Sequence, residues 1–317
     1  MTTTTEKVTP KAPPKPVLQL GDRIFAGSAK GAGILILVVL AGVAAFLILQ
    51  AMPAIVASPA DLPGGKTLVA YIGPLVFGTI LAALIALVLA TPLAVAIALF
   101  ITHYAPRRLA QGLGYLIDLL AAVPSIVYGL WGVAVLAPAT IGVSTWLNTY
   151  LGWIPFFAGP VSVTGRTMLV VGVTLAVMIL PIITAVAREV FLQTPKLHEE
   201  AALALGATRW EMIRMAVLPF GRSGIISGSM LGLGRALGET MAVAIILSAS
   251  GAVTFNLISS DNPSTIAGNI ALQFPDSTGL AVNTLIASGL VLFVITLLVN
   301  ALARYIINRR REFSGAN

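Results

Sequence analysis

The sequence predicts an all-α, polytopic membrane protein with six spanning helices and both termini on the cytoplasmic side. Three observations predict it. Of 317 residues, 57% are hydrophobic and 10% are charged, where soluble domains carry about a quarter charged residues, and the mean hydropathy is +0.96. Six apolar segments, near 31–52, 69–101, 113–137, 167–187, 223–249 and 281–306, each reach the roughly 20 residues that a spanning helix needs. The basic residues then sort by side. Of the 19 lysines and arginines, all fall in the N-terminal segment, the even-numbered connections or the C-terminal end, except Lys66 and Arg166 on the other side and Arg235 within a span. That asymmetry sets the topology, with the basic side cytoplasmic. It also accounts for the net charge of +7, and nothing else in the chain supports nucleic-acid binding.

Taken in order, residues 1–30 form a cytoplasmic segment. The first sixteen are rich in Thr, Lys and Pro, bury no core and are expected to be disordered. A short amphipathic run from Gln19 to Lys30 leads into the membrane domain, 31–306. The second segment is too long for one straight span and too short for two, so it reads as one helix kinked near Thr91-Pro92 that starts at the interface around Tyr71–Pro74. Trp131, Trp146 and Trp153 suit an external interfacial belt. A basic tail, 307–317, closes the chain.

Several chemistries are excluded. There is no cysteine, hence no disulfide, thiolate or Cys-based metal site. His103 and His198 make no ligand cluster. Gly64-Gly65-Lys66-Thr67 looks like the end of a phosphate-cradling loop, but Ala60 stands where its first glycine is required and no βαβ unit surrounds it. No cofactor is expected in this chain, and no enzymatic activity. An intramembrane hydrolase using Asp118 or Glu239 lacks a second acid, a nucleophile or a metal motif.

The longest cytoplasmic connection between spans, 188–222, contains EEAALALGATRWEMIRMAVLPFGR (199–222). Gly206 suits a left-handed helix end, and Thr208 with Glu211 forms a capping box for a second short helix, expected to stop before Pro219. Trp210, Met212, Ile213 and Met215 are then available to a partner groove.

Within the fifth segment lie Arg235 and Glu239, one turn apart near mid-depth. An ionisable residue there costs on the order of 3 kcal/mol and is expected to have a partner, so the two are read as an ion pair beside a passage. A guanidinium offers a planar fork of donors suited to an oxyanion. Gly224, Gly228 and Gly232, four residues apart, predict close approach of another helix. Ser125 and Tyr128 are candidate hydroxyls for the same path. Asp118 is read as structural, reaching back to Arg107 or Arg108.

Spacing in the cytoplasmic loop resembles the EAA loop of ABC importer permeases: Glu200-Ala201-Ala202, then Gly206, then Leu218-Pro219, with Ala216 where isoleucine is usual. GRALGETMAV (234–243), AAVPSIVYGLWG (121–132) and GDRIF (21–25) are similar to the permease family of bacterial phosphate importers, the PstC kind. The resemblance implies a six-helix type I importer permease in the bacterial inner membrane and translocation of phosphate by alternating access. It implies a path past Arg235, Glu239, Thr240, Ser125 and Tyr128, and a loop at Glu200–Gly206 and Leu218-Pro219 that couples to an ATPase. It further implies a second permease subunit, two ATPase subunits holding ATP and Mg²⁺, and an external phosphate-binding protein. The alternatives are a permease for another oxyanion or small solute, such as sulfate or molybdate, the paralogous partner permease, and a passive channel.

Overall fold

The computed structural model describes the backbone of residues 20–311 and the side chains of 21–305. The expected disordered segment 1–16 lies outside the described residues. Among the described residues the fold is all-α, with no strand beyond an isolated bridge between Ala249 and Asn262.

Five helical stretches are long and apolar enough to cross a membrane: Gly21–Val56, Leu68–Tyr104, Ser125–Leu151, Met168–Leu192 and Leu280–Tyr305. The first belongs to helix α1 (Leu20–Val56). It divides at Leu49 between two compact units. Up to Leu49 the helix is largely exposed apolar surface, as suits a lipid-facing or partner-facing segment. In the second unit, which begins at Gln50, Ala51 and Ala54 are buried with Leu62, Ile72 and Ala287. Helix α2 (Leu68–Leu99) is capped by Thr67, whose hydroxyl accepts from the Ala70 amide at 3.2 Å, and runs through Pro74 and Pro92 as one helix.

Two expected spans are differently built. The segment 113–137 is not one helix. Helix α3 (Arg107–Ala121) ends at Ala122, and α4 (Ser125–Trp131) starts after Pro124 and leads into α5 (Ala137–Leu151). Pro124 cannot donate a backbone hydrogen bond, and the Leu120 carbonyl is satisfied by the Tyr128 hydroxyl at 2.8 Å. The segment 223–249 is also interrupted. Helix α9 (Leu218–Leu237) stops at Gly238, and α10 (Met241–Ile246) follows after Glu239 and Thr240. Helix α12 (Leu280–Arg311) runs on into the basic segment as far as Arg311.

Helix α6 (Met168–Leu192) is the centre of the second unit, and α2 and α9 pack along it. Small residues make both contacts close. Ala82, Ala86, Ala90, Ala94 and Ala98, spaced by four, are all essentially inaccessible on α2. On α9 a Cβ at Gly224 would run into Val190, one at Gly228 would lie 3.1 Å from Val186, and one at Gly232 would lie 3.0 Å from Ile183. The glycine register read from the sequence is therefore a helix contact, with α6 as the partner.

Three wide π-turns interrupt these helices: Phe100–Tyr104, Gly132–Leu136 and Ile213–Val217. Each ends two residues before a proline, namely Pro106, Pro138 and Pro219. A proline ring collides with the carbonyl four residues back. In each case the residue before it donates five residues back instead, as Ala105 does to Phe100 at 2.8 Å. At Pro138 and Pro219, where the helix continues, the extra residue opens the turn in which the ring must fit, whereas at Ala105 the backbone turns extended and Pro106 leads into the next helix.

This geometry corrects the expected end of a helix before Pro219. Helix α8 (Arg209–Met212), the wide turn and α9 form one continuous rod, with Leu218 helical. The other expectations for the loop hold. Helix α7 (Lys196–Ala204) ends in a left-handed Gly206 (φ 86°), with Ala207 N–H donating to Ala202 O at 3.2 Å and Gly206 N–H to Leu203 O at 3.0 Å. The capping box is complete: the Glu211 amide donates to Thr208 Oγ1 at 3.3 Å, and Thr208 N–H donates to Glu211 Oε2 at 2.7 Å.

Those Thr208 bonds hold the Glu211 carboxyl below the usual carboxylate range. Because the folded-state pKa is the lower one, the cap is in force above the unfolded-state value and is lost as pH falls through the folded one. Hydrogen exchange at the amides of Thr208, Glu211 and Met212, corrected for intrinsic rate, is therefore expected to accelerate below the carboxylate range. A Thr208→Ala variant is expected to exchange fast at every pH. Protection that ignores both changes would show that the box does not hold this turn.

Candidate functional site: two facing helix breaks

Interruptions in α3–α4 and α9–α10 face each other. A Cβ on Gly129 of α4 would lie 2.9 Å from Ala242 Cα of α10, and one on Gly132 would lie 2.6 Å from Ile246. Glycine at 129 lets the two backbones meet and glycine at 132 leaves room for the Ile246 side chain, which places the two breaks side by side in the bundle.

Arg235 sits on the last turn of α9, half-buried, three residues past Gly232, which packs on Ile179 and Ile183 midway along α6. Its depth is thus as expected. Its partner is not. Among the described residues Arg235 makes no ion pair.

Glu239 is buried in the α9–α10 break, where Oε1 accepts from the Ala242 amide at 3.1 Å. The break turns the carboxylate away from the helix face that it would have shared with Arg235. The charge lies instead at the first turn of α10, where a negative group is favoured. Thr240 donates to Gly238 O at 3.2 Å and stays within the break. Ser125 opens α4, half-buried, one turn before Tyr128. Arg235, Glu239, Thr240, Ser125 and Tyr128 thus all lie on the paired breaks. Asp118 does not: it is exposed on α3 and makes no ion pair with Arg107 or Arg108.

Two residues that hold this site were not singled out from the sequence. Arg166 donates from Nε to Ile246 O at 3.1 Å and from Nη2 to Ile245 O at 2.7 Å, capping the C-terminal end of α10. A short helix is therefore held at both ends by opposite charges, each matched to the helix dipole. Asn262, fully buried, accepts from Met168 N–H at 3.1 Å and donates to Ser259 O at 3.0 Å and Ser248 O at 3.1 Å. It ties the start of α6 to the segment that follows α10. Arg166 at a span edge reads as a topology charge, and an asparagine in a polar loop gives no local signal of its bond to the Met168 amide, 94 positions away.

At the other end of α6, the loop residues rest on a second core. Met212 and Ile213 are buried with Phe191, Ala187, Ala98 and Leu99, and Ala202 packs against them. Those two side chains are therefore not free for a partner groove, whereas Trp210 and Met215 are exposed. Glu200, Ala201 and Gly206 are exposed as well, Leu218 is half-buried and Pro219 exposed. His103 Nε2 lies 3.7 Å from Glu199, linking the end of α2 to α7.

Over residues 90–312 the sequence matches the family described as binding-protein-dependent transport system inner membrane component. The chain belongs to this family. It is a membrane-spanning component of the inner membrane, and the five long apolar helices fit that place.

This inner-membrane component is 48% identical over 298 residues to the phosphate transport system permease protein PstC 2 of Mycobacterium tuberculosis, covering 90% of this chain and 91% of that one. It is 39% identical to the phosphate transport system permease protein PstC of Mesorhizobium japonicum, covering 94% and 93%. Its fold is similar to a chain of the bacterial alginate ABC transporter solved with a periplasmic protein bound to an alginate pentasaccharide. There the TM-score is 0.56 at 15% identity, over 92% of this chain and 98% of the other. The importer-permease fold expected from the loop spacing is thus the one found.

Proposed function

We propose that this chain is one of two membrane subunits of an ATP-driven importer for inorganic phosphate. The 48% identity to a phosphate permease across nine-tenths of both chains carries the reading. A second, paralogous permease supplies the other half of the path. Two cytoplasmic ATPase subunits bind ATP and Mg²⁺ and engage the 188–222 loop, and an external binding protein delivers the anion. The exposed Glu200, Trp210 and Met215 support docking at that loop. Both chain ends are assigned to the same side as the loop.

The path runs between the two helix breaks. Arg235, free of a carboxylate, offers its donors to the phosphate oxygens. Tyr128, Ser125 and Thr240 add hydroxyls. Glu239 accepts a hydrogen bond from a protonated phosphate and repels sulfate, which brings no proton. Its Oε1 caps α10, while the other carboxylate oxygen has no partner among the described residues.

Proteoliposomes carrying the full chain, its partner permease, the ATPase subunits and the binding protein test this. ATP-dependent uptake of labelled phosphate in excess of sulfate and molybdate is expected. Uptake of one of those anions instead would replace the substrate assignment, and flux without ATP would replace the importer by a channel. Glu239→Gln keeps an oxygen for the Ala242 amide but removes the charge. It is expected to leave phosphate uptake within a fewfold and to reduce discrimination against sulfate by about tenfold, the effect of roughly 1.4 kcal/mol. Undiminished discrimination would place selectivity elsewhere, in the binding protein.

A further inference from the structure

A cavity of about 280 Å³ opens between α9 and α12, lined by Ser227, Met230, Leu231, Asn300, Ala303 and Arg304. Its depth follows from the α9–α6 contact. Gly224 and Gly228 pack on Val190 and Val186, so Ser227 lies near the α7 end of the bundle, where α6 finishes at Leu192. The cavity is built asymmetrically. Buried Ala303 and half-buried Met230 give an apolar floor with the exposed Leu231 at its edge, while Asn300 and Arg304, one turn apart on α12, put an amide and a guanidinium at its rim. Both polar heads are exposed, and neither makes a hydrogen bond or ion pair among the described residues. Ser227 donates to Ser223 O at 2.9 Å and leaves its oxygen free to accept.

We infer that this cavity is a binding site for an acidic phospholipid of the leaflet nearest α7, with the phosphoryl group held by Arg304 and Asn300. The phosphoryl oxyanion could in principle belong to a lipid or to a free phosphate ion, and the lining favours the lipid. An acyl chain is accommodated by Met230, Leu231 and Ala303, against which a hydrated ion gains nothing. A guanidinium between spanning helices at headgroup level is suited to an anionic headgroup. The cavity also stands apart from the paired breaks, since Ser227 is two turns of α9 from Arg235.

Native mass spectrometry of the full chain, titrated in mixed micelles with phosphatidylglycerol and phosphatidylcholine, tests the site. Wild type is expected to retain phosphatidylglycerol in preference, and Arg304→Gln to lower that preference about fivefold. Asn300→Leu, a substitution at an exposed position, is expected to lower it as well. Arg222→Gln is the control: Arg222 is exposed at the same end but about 140° round α9 from Ser227, and its loss is expected to change little. An equal drop in the Arg222 variant would mean general charge attraction and overturn the site. Displacement of bound lipid by millimolar inorganic phosphate would also overturn it, by assigning the cavity to the free ion. So would a preference that survives both α12 substitutions.

Discussion

Replacing Arg235 by glutamine is expected to lower ATP-dependent phosphate uptake by about 100-fold, while ATP hydrolysis by the assembled complex persists. The size follows from the chemistry: a charged donor set in a partly desolvated site contributes about 1.5–3 kcal/mol per hydrogen bond, and one such bond at the upper end is worth roughly two decades. Arg235 is half-buried with no ion-pair partner among the described residues, so glutamine leaves no stranded carboxylate behind. A collapse of the fold is therefore not the expected outcome. Arg235→Lys keeps the charge and loses the fork, and is expected to fall between the two. Full uptake by the glutamine variant would show that the anion does not pass this residue.

The largest expected loss of stability comes from Asn262→Ala. It removes a fully buried side chain that serves the Met168 amide and three carbonyls, from Ser259, Ser248 and Arg166. Leaving one such group without a partner costs about 1–3 kcal/mol. With partial relaxation of the rest, about 3 kcal/mol is expected, seen as a fall of roughly 5–10 °C in the thermal midpoint in detergent. Asn262→Asp keeps the acceptor for Met168 but cannot donate, and is expected to be at least as damaging because it buries a charge. A shift of less than 2 °C for both variants would mean that water replaces the amide, and that the start of α6 is held by other contacts.

The parts of this molecule that were legible in the sequence are those whose cause is local. The capping box at Thr208 and Glu211, the left-handed Gly206 and the glycine register on α9 each rest on residues within a few positions of one another. All three are found. Hydropathy located the long helices but not their interruptions. The segment 113–137 reads as one span by hydropathy, whereas the helix ends at Ala122 before Pro124 and the Tyr128 hydroxyl bonds the Leu120 carbonyl across the break. Glu239 was paired with Arg235 on the assumption of an unbroken helix. With the helix ending at Gly238 that geometry is gone, and the carboxylate accepts from the Ala242 amide instead. Pro219 was given too much weight as a terminator, because the wide turn before it absorbs the ring. Arg166 reaches the end of α10 over 79 positions of sequence and Asn262 reaches the Met168 amide over 94, beyond any periodic pattern.

The wide turn at Ile213–Val217 has a consequence for how motion is relayed. One surplus residue advances the phase of a helix by about 100°, so the azimuth at which α8 leaves α9 is set by that single insertion. Pro219 keeps the turn from annealing into regular helix, and so locks the setting. Excising one residue there would swing Trp210 round the axis by more than a quarter of a circle, leaving the same side chains aimed at a different neighbour.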